Sequence, residues 1–303
     1  MQQSSAMGAK EWGTLIVLSV IWGSSFVLLK VLIETIPPLT IVFGRLAISA
    51  LAMNLVTRGG AFRPEILARW PEFVFYGLVS AALPFSLITL AETEIDSGLA
   101  SILNATTPIF AVVIAHFSFA DERLSWNKGV GALAGFLGVV VLIGPSALAI
   151  GRDGLAGQMA SLVAALSYGC ASVFARRFRG LAPLNVVAAQ MTIAALLVAP
   201  ASLIVDRPFD LTPPPPVAWA SLAALALICT AFSYWLYFRL VAKVSGTVLS
   251  VATVLSPVSA VALGVMFLGE RLEFRALGGL LLIALGLAAM DGRPLARLRR
   301  SRA

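Results

Sequence analysis

Two prolines lie in the middle of long apolar stretches, Pro108 in the first half of the chain and Pro257 in the second. A proline inside a helix has no N–H to donate, so each one frees the carbonyl four residues earlier. The polar residues around these two breaks include Asn104, Thr107, Thr253 and Ser256. Either their side chains bond back to their own backbone, or the two stretches face each other across a polar cavity. The recurrence of the pattern favours the cavity, with Pro108 and Pro257 as hinges.

Arg45 is a cation inside an apolar stretch, where a charge needs a partner. It could recognise the carboxylate of an amino-acid-like solute. Alternatively, it could reach the membrane interface or pair with an acid such as Glu92 or Glu94. Gln190 holds the matching position in the second half, so the two halves differ in charge at this point.

Aromatic side chains with a polar edge lie near the centres of other apolar stretches, at Trp22, Tyr168 and Tyr234. Such rings can stack on planar solutes or cations, although many rings in membrane proteins only pack against lipid. Trp22 and Tyr168 occupy equivalent places in the two halves. We therefore predict that these aromatic residues line a solute pathway, together with Arg45 and Gln190.

Glu122 and Glu270 each follow one of the proline-containing stretches and precede Arg-Leu. Acids at this place can accept backbone N–H groups at the start of the next helix, so we predict that both are structural caps. Carboxylates are otherwise missing from the centres of the apolar stretches, which favours facilitated diffusion or exchange over tight proton coupling. The sequence shows no nucleotide-binding loop, metal cluster or catalytic set, which predicts no enzyme activity, cofactor or metal.

The composition places these residues in a membrane. Of 303 residues, 59% are hydrophobic and 12% are charged, about half the charged share of a soluble protein. The apolar stretches show no strand-like alternation, so the sequence predicts an all-α polytopic membrane protein. The predicted transmembrane helices are 12–33, 39–57, 70–90, 98–119, 126–144, 155–176, 184–205, 217–239, 246–268 and 274–291.

The chain is a tandem repeat. The segment 103–124 resembles 252–272, and further pairs match at a similar offset, such as Trp22-Gly23 with Tyr168-Gly169. The repeats are predicted at 12–144 and 155–291, each with five helices. Because five is odd, the second repeat must enter the membrane inverted, an arrangement that suits alternating access around a site at the membrane midplane.

The basic residues orient the predicted helices. With a cytoplasmic N-terminus, sixteen Lys and Arg residues fall on the cytoplasmic side and five on the other side, with Arg45 inside a helix. The positive-inside rule therefore predicts that both termini, including a basic tail at 292–303, are cytoplasmic. The net charge of +7 is explained by this topology without a nucleic-acid partner.

These features together resemble a known family. Ten helices in two halves, Trp-Gly-Ser-Ser-Phe at 22–26, Arg45, and the segments from Pro108 to Arg123 and from Pro257 to Arg271 are similar to the EamA-type members of the drug/metabolite transporter superfamily. The likeness covers nearly the whole chain. One departure is Asp121, where the family more often has glycine, as Gly269 shows in the second copy. The resemblance implies efflux of amino acids or other small metabolites at an inner membrane.

The sequence thus predicts a carrier for a small solute, with an amino acid as the first candidate substrate. The alternatives are a proton-coupled transporter of drug-like or lipid-like solutes and, more remotely, a membrane-embedded lipid enzyme. The predicted partners are the solute and the lipid bilayer. The spacing of Gly131 and Gly135 allows another helix to approach closely, either within a monomer or across a homodimer.

Overall fold

The computed structural model describes residues 9–118, 126–143, 154–241, 246–271 and 274–291, and within these ranges it contains helices and no strands. The all-α prediction is confirmed. The predicted basic tail at 292–303 lies outside the described residues. The long helical segments are α1 Ala9–Ile33, α2 Pro38–Thr57, α3 Trp70–Ala91, α4 Ser97–Ser118, α5 Trp126–Ile143, α6 Leu155–Phe178, α7 Pro183–Asp206, α8 Pro216–Leu240, α9 Gly246–Leu263 extended by Gly264–Leu268, and α10 Phe274–Asp291.

Seven of these helices are long and apolar enough to cross a membrane, with mean hydropathies from 1.4 to 2.3. They are α1 to α4 and α6 to α8. The remaining three, α5, α9 and α10, lie where the sequence predicts the other membrane helices, and α9 and α10 carry the shorter apolar stretches Leu255–Leu268 and Leu277–Gly286. The chain is therefore a helical, multi-pass membrane protein.

The contacts between helices repeat when each helix of the first half is exchanged for its counterpart in the second. Helix α1 packs along α9, and its counterpart α6 packs along α4. Likewise α3 contacts α6 while α8 contacts α1, and α2 contacts α8 while α7 contacts α3. The pairs α2 with α7, α4 with α9 and α5 with α10 join equivalent helices. Each of these contacts in one half of the chain thus has a counterpart in the other half.

Glycines allow α5 and α10 to pack closely. A Cβ added at Gly138 would lie 2.8 Å from the carbonyl oxygen of Gly279, and one at Gly286 would lie 2.5 Å from that of Gly131. Real Cβ atoms do not approach so closely, and only glycine allows this contact between helices. Gly131 and Gly135 thus contact α10 of the same chain. The close helix approach that their spacing allows is therefore made within the monomer.

Wide, π-helical turns occur in four of the described helices, α3, α7, α8 and α9. Two of them lie at matching places in the two halves, Leu78–Ala82 in α3 and Leu227–Phe232 in α8. In α3 the turn precedes Pro84, which has no N–H for the carbonyl of Ser80. Turns of this kind expose backbone carbonyls inside a bundle and are frequent at functional sites. Both wide turns receive polar side chains from the opposite half of the chain.

Candidate functional site

Arg45 lies in the centre of the bundle and not at its edge. Its side chain is 7% exposed, its Nε donates a hydrogen bond of 2.8 Å to Oγ1 of Thr230, and its guanidinium carbon lies 3.9 Å from the centre of the Phe85 ring. Tyr168 and Tyr234 are close enough to interact electrostatically with this cation. Within the described residues no carboxylate oxygen lies within 4.0 Å of the guanidinium. Arg45 neither reaches the surface nor forms an ion pair there.

Gln190 makes the equivalent contact in the other half. Arg45 on α2 donates to the wide turn of α8, and Gln190 on α7 approaches the wide turn of α3, where its Nε2 lies 3.5 Å from the carbonyl oxygen of Ser80. The hydroxyl of Tyr234 lies next to the Gln190 side chain. The side-chain oxygen of Gln190 is buried and has no hydrogen-bond partner among the described residues. The site therefore contains a donor and an acceptor that a polar solute could engage.

Trp22 and Tyr168 also occupy equivalent places. Both rings are half-buried. Trp22 on α1 lies 5.8 Å from the ring of Tyr237 on α8, and Tyr168 on α6 lies 6.4 Å from the ring of Phe85 on α3. Phe85 and Tyr168 are thus the rings of these two pairs that lie close to Arg45.

The glycine after each of these rings packs against a proline-containing helix. A Cβ added at Gly23 would lie 2.7 Å from the backbone nitrogen of Ala260, three residues after Pro257. A Cβ added at Gly169 would lie 3.0 Å from the backbone nitrogen of Ala111, three residues after Pro108. The paired aromatic-glycine motifs therefore fix each ring beside a proline helix.

The two proline helices differ in the structure. Helix α4 is interrupted after Asn104 and resumes at Thr107, so Pro108 stands in the first turn of its second part. The hydroxyl of Thr107 donates to the Asn104 carbonyl, which Pro108 leaves free, at 2.8 Å. The side-chain oxygen of Asn104 is buried without a hydrogen-bond partner in the described ranges. At the break in α4, the free backbone carbonyl of Asn104 is thus hydrogen-bonded to Thr107, while the side-chain oxygen of Asn104 remains available to accept a hydrogen bond.

Helix α9 runs through Pro257 without interruption, from Gly246 to Leu263, and Ser256 is 8% exposed. Its backbone widens only later, at Gly264–Leu268. The side chain of Thr253 lies outside the described residues. The sequence pattern predicted a helix break at both Pro108 and Pro257. Of these two prolines, only Pro108 lies at an interruption of its helix in the structure. The hinge role of both prolines stays a prediction.

Glu270 caps a helix, but a different helix from the predicted one. It accepts hydrogen bonds from the backbone N–H of Ser97 at 2.8 Å, from the Ser97 hydroxyl at 2.7 Å and from the N–H of Gly98 at 3.1 Å. These donors begin α4, whereas the sequence suggested the start of α10. Gly269 has a left-handed conformation with φ of 66°, so the chain turns back at this point and directs Glu270 across to α4. Glu122, its counterpart, lies outside the described residues.

Replacing Glu270 by alanine should destabilise the protein by about 1–3 kcal/mol, because buried donors at the start of α4 would lose a charged acceptor. Thermal unfolding of the purified protein in detergent would measure the effect. Glu34→Ala is the matched control, because Glu34 is exposed near the end of α1. Equal melting temperatures for the two variants would contradict the capping role.

Several members of this site were missed by sequence reasoning. Phe85 and Thr230 contact Arg45 directly, and the Ser80 carbonyl receives Gln190. The free Ser80 carbonyl could have been predicted from the sequence, because Pro84 lies four residues later and has no N–H to donate to it. Phe85 and Thr230 carried no comparable signal, because phenylalanine and threonine are common in apolar helices.

A family comparison adds to this geometry. The model of the EamA-like transporter family matches residues 12–144 and 155–290. This chain belongs to the EamA-like transporter family. Both halves of the EamA-like chain match the model, which agrees with the repeated contacts between its helices.

Individual relatives match the EamA-like chain over nearly its whole length. An uncharacterized transporter, YoaV, of Bacillus subtilis is 29% identical over 90% of this chain and 94% of its own. A probable amino-acid metabolite efflux pump of Escherichia coli is 27% identical over 93% and 94%. An uncharacterized inner membrane transporter of Escherichia coli, YedA, is 26% identical over 93% of each. One solved crystal structure has a TM-score of 0.67 at 19% identity, covering 96% of this chain and 99% of its own, which shows the fold alone.

Proposed function

We propose that this protein exports small carboxylate-bearing metabolites, with amino acids as the first candidates, by alternating access around the Arg45 site. The observation that carries the proposal is Arg45 itself, a buried cation with a hydroxyl and an aromatic ring as its described contacts. Holding a cation away from water without a carboxylate partner is costly. A solute carboxylate in the bundle would supply that partner. The described site would then contribute hydrogen bonds and stacking, with no covalent step.

The symmetry of the site supports alternating access. Arg45 and Gln190 each contact a wide turn in the opposite half, and Trp22 and Tyr168 each stand beside a proline helix. In carriers built from inverted repeats, the two halves exchange conformations and expose a central site to one face and then to the other. We place the repeats at 12–144 and 155–291 with ten crossings. The excess of basic residues between the helices on one side favours cytoplasmic termini.

The direction and the substrate class have separate support. One relative is named a probable amino-acid metabolite efflux pump, and another is named an inner membrane transporter. Arg45 suits the carboxylate of such a metabolite, and the rings of Trp22, Tyr168 and Tyr234 suit an ammonium group or a planar side chain. The remaining residues of the proposed pathway are Asn104, Thr107, Thr253 and Ser256.

Release from proteoliposomes tests this function. Vesicles would be loaded with a mixture of amino acids, nucleosides, sugars and polyamines, and mass spectrometry would follow their loss with no ion gradient imposed. We expect selective loss of carboxylate-bearing solutes, compared with protein-free vesicles. Loss of nucleosides, sugars or polyamines in preference to amino acids would contradict the carboxylate class. Retention of the whole mixture, with and without a proton gradient, would contradict metabolite export.

A further inference from the structure

Glu92 is a buried acid that the proposed transport site does not use. It lies one residue beyond α3, and its exposed fraction is 0%. Neither carboxyl oxygen has a hydrogen-bond partner among the described residues. The sequence suggested Glu92 as a possible partner of Arg45, but no ion pair joins the two among the described residues. The structure instead encloses Glu92 completely.

The nearby cation does not neutralise Glu92 by direct contact. The ammonium group of Lys30 on α1 donates to two backbone carbonyls, that of Glu92 at 2.7 Å and that of Ile95 at 2.9 Å. No ion pair joins Lys30 to the Glu92 carboxyl. The other charged groups that act on it are Arg45 on α2 and Glu270, which follows α9. Two cations, Lys30 and Arg45, and one further acid, Glu270, thus act on Glu92 from a distance. The Glu92 carboxyl itself receives no hydrogen bond from the described residues.

These surroundings favour the neutral acid. Burial raises the pKa of the Glu92 carboxyl well above its usual range, Glu270 raises it further, and Lys30 and Arg45 act in the opposite direction. The physical cause is that an ionised carboxylate without water or donors pays a large desolvation cost, which a bound proton removes. The pKa of the neighbouring, partly buried Asp96 is also raised, first by this partial burial and then by Glu270.

Glu92 lies close to the contact that Glu270 makes between α9 and the start of α4. The loop from Glu92 to Asp96 leads directly into α4, whose first residues Ser97 and Gly98 are held by Glu270. If this contact opened, water would reach the loop and could solvate an ionised Glu92. In the closed arrangement, in which Glu270 is hydrogen-bonded to the start of α4, the Glu92 carboxyl is shielded from water.

We propose that Glu92 is a proton-binding site, holding a proton while Glu270 joins α9 to the start of α4 and releasing it when they separate. On closing, the carboxylate takes one proton from the adjacent water and becomes a neutral acid. On opening, the proton returns to water and the carboxylate is left solvated. Closure therefore consumes one proton per chain, which adds pH sensitivity to the export cycle. This differs from the sequence expectation, which favoured transport without tight proton coupling.

Infrared spectroscopy tests the proton directly and needs no solute. At neutral pH, the purified protein should show a C=O band of a protonated carboxylic acid that is missing in Glu92→Gln. Glu34→Gln is the control, because Glu34 is exposed to solvent, and we expect this change to leave the band in place. If the wild type and Glu92→Gln show the same absorption in this region, the proposal is wrong.

A second variant tests the link to the helix contact. Ser97→Pro removes both Ser97 donors to Glu270 without changing any charge, and proline is tolerated at the first position of a helix. We expect the protonated-acid band to weaken at neutral pH in Ser97→Pro and a carboxylate band to appear. An unchanged band in a folded Ser97→Pro protein would overturn the coupling between Glu92 and the contact. Because neither measurement involves transport, their failure is distinct from failure of the export function.

The pH dependence has a definite sign. A group whose pKa is raised in the closed state stabilises that state below its ordinary pKa, and this stabilisation is lost as the pH rises through the raised value. The ratio of closed to open protein should fall by at most about tenfold per pH unit in this interval. The apparent melting temperature of the wild type should accordingly decrease relative to that of Glu92→Gln as the pH rises. Parallel pH profiles for the two proteins would contradict proton binding at Glu92.

Discussion

Replacing Arg45 by glutamine should reduce efflux of carboxylate-bearing solutes by about tenfold to a hundredfold while leaving the protein equally stable or more stable. The loss follows from the usual strength of a hydrogen bond to a charged group, about 1.5–3 kcal/mol. The stability follows from removing a buried cation that has no carboxylate partner in the described residues. Efflux from proteoliposomes and the apparent melting temperature would be measured on the same preparation.

Two further variants sharpen this prediction. Arg63→Gln is the matched control, since Arg63 is exposed and should be dispensable for efflux. Arg45→Lys keeps the charge but loses the planar guanidinium that donates to Thr230 and stacks on Phe85, so we expect intermediate efflux. A purely structural role for Arg45 predicts the opposite combination for Arg45→Gln, a lower melting temperature with normal efflux by the protein that stays folded. That result would remove Arg45 from the transport mechanism.

The helices could be predicted from the sequence because each depends on local composition. Long apolar stretches without strand-like alternation leave few alternatives in a bilayer, where backbone groups must bond within the chain. The structure shows helices in all ten predicted positions within the described ranges. The wide turns in α3 and α8 were not predicted. A local change in helical pitch leaves hydrophobicity unaltered, and of the two turns only the one before Pro84 has a proline to mark it.

The site could be predicted only in part, because its contacts join distant segments. The sequence identified Arg45 and Gln190 as equivalent, but Thr230 lies 185 residues from Arg45 and could not be assigned to it. Glu270 shows the same limit more clearly. A local rule assigned it to the helix that follows, whereas the left-handed turn at Gly269 directs it to α4. The burial of Glu92 depends equally on how separate helices meet.

Replacing Gly23 by alanine should destabilise the protein by about 1–3 kcal/mol, the usual cost of adding volume to a closely packed interior. The new Cβ would lie 2.7 Å from the backbone nitrogen of Ala260 and from Cβ of Ser259, so α1 and α9 would have to separate. Gly13→Ala is a control on the same helix, because a Cβ at Gly13 meets nothing within 4 Å. We expect that change to stabilise α1 by about 0.5–1 kcal/mol, the usual gain of alanine over glycine in a helix.

The symmetry of the fold extends this prediction to the second half. Gly169→Ala would place its Cβ 2.9 Å from Cβ of Phe110 and 3.0 Å from the backbone nitrogen of Ala111, so it should destabilise the contact between α6 and α4. Each change displaces the ring beside it, Trp22 or Tyr168, so efflux should fall together with stability. Apparent melting temperatures and efflux would be measured for all three variants. If Gly23→Ala and Gly169→Ala behaved like Gly13→Ala, the close contacts would not position the rings, and the matched aromatic-glycine pairs would lose their proposed role in the carrier.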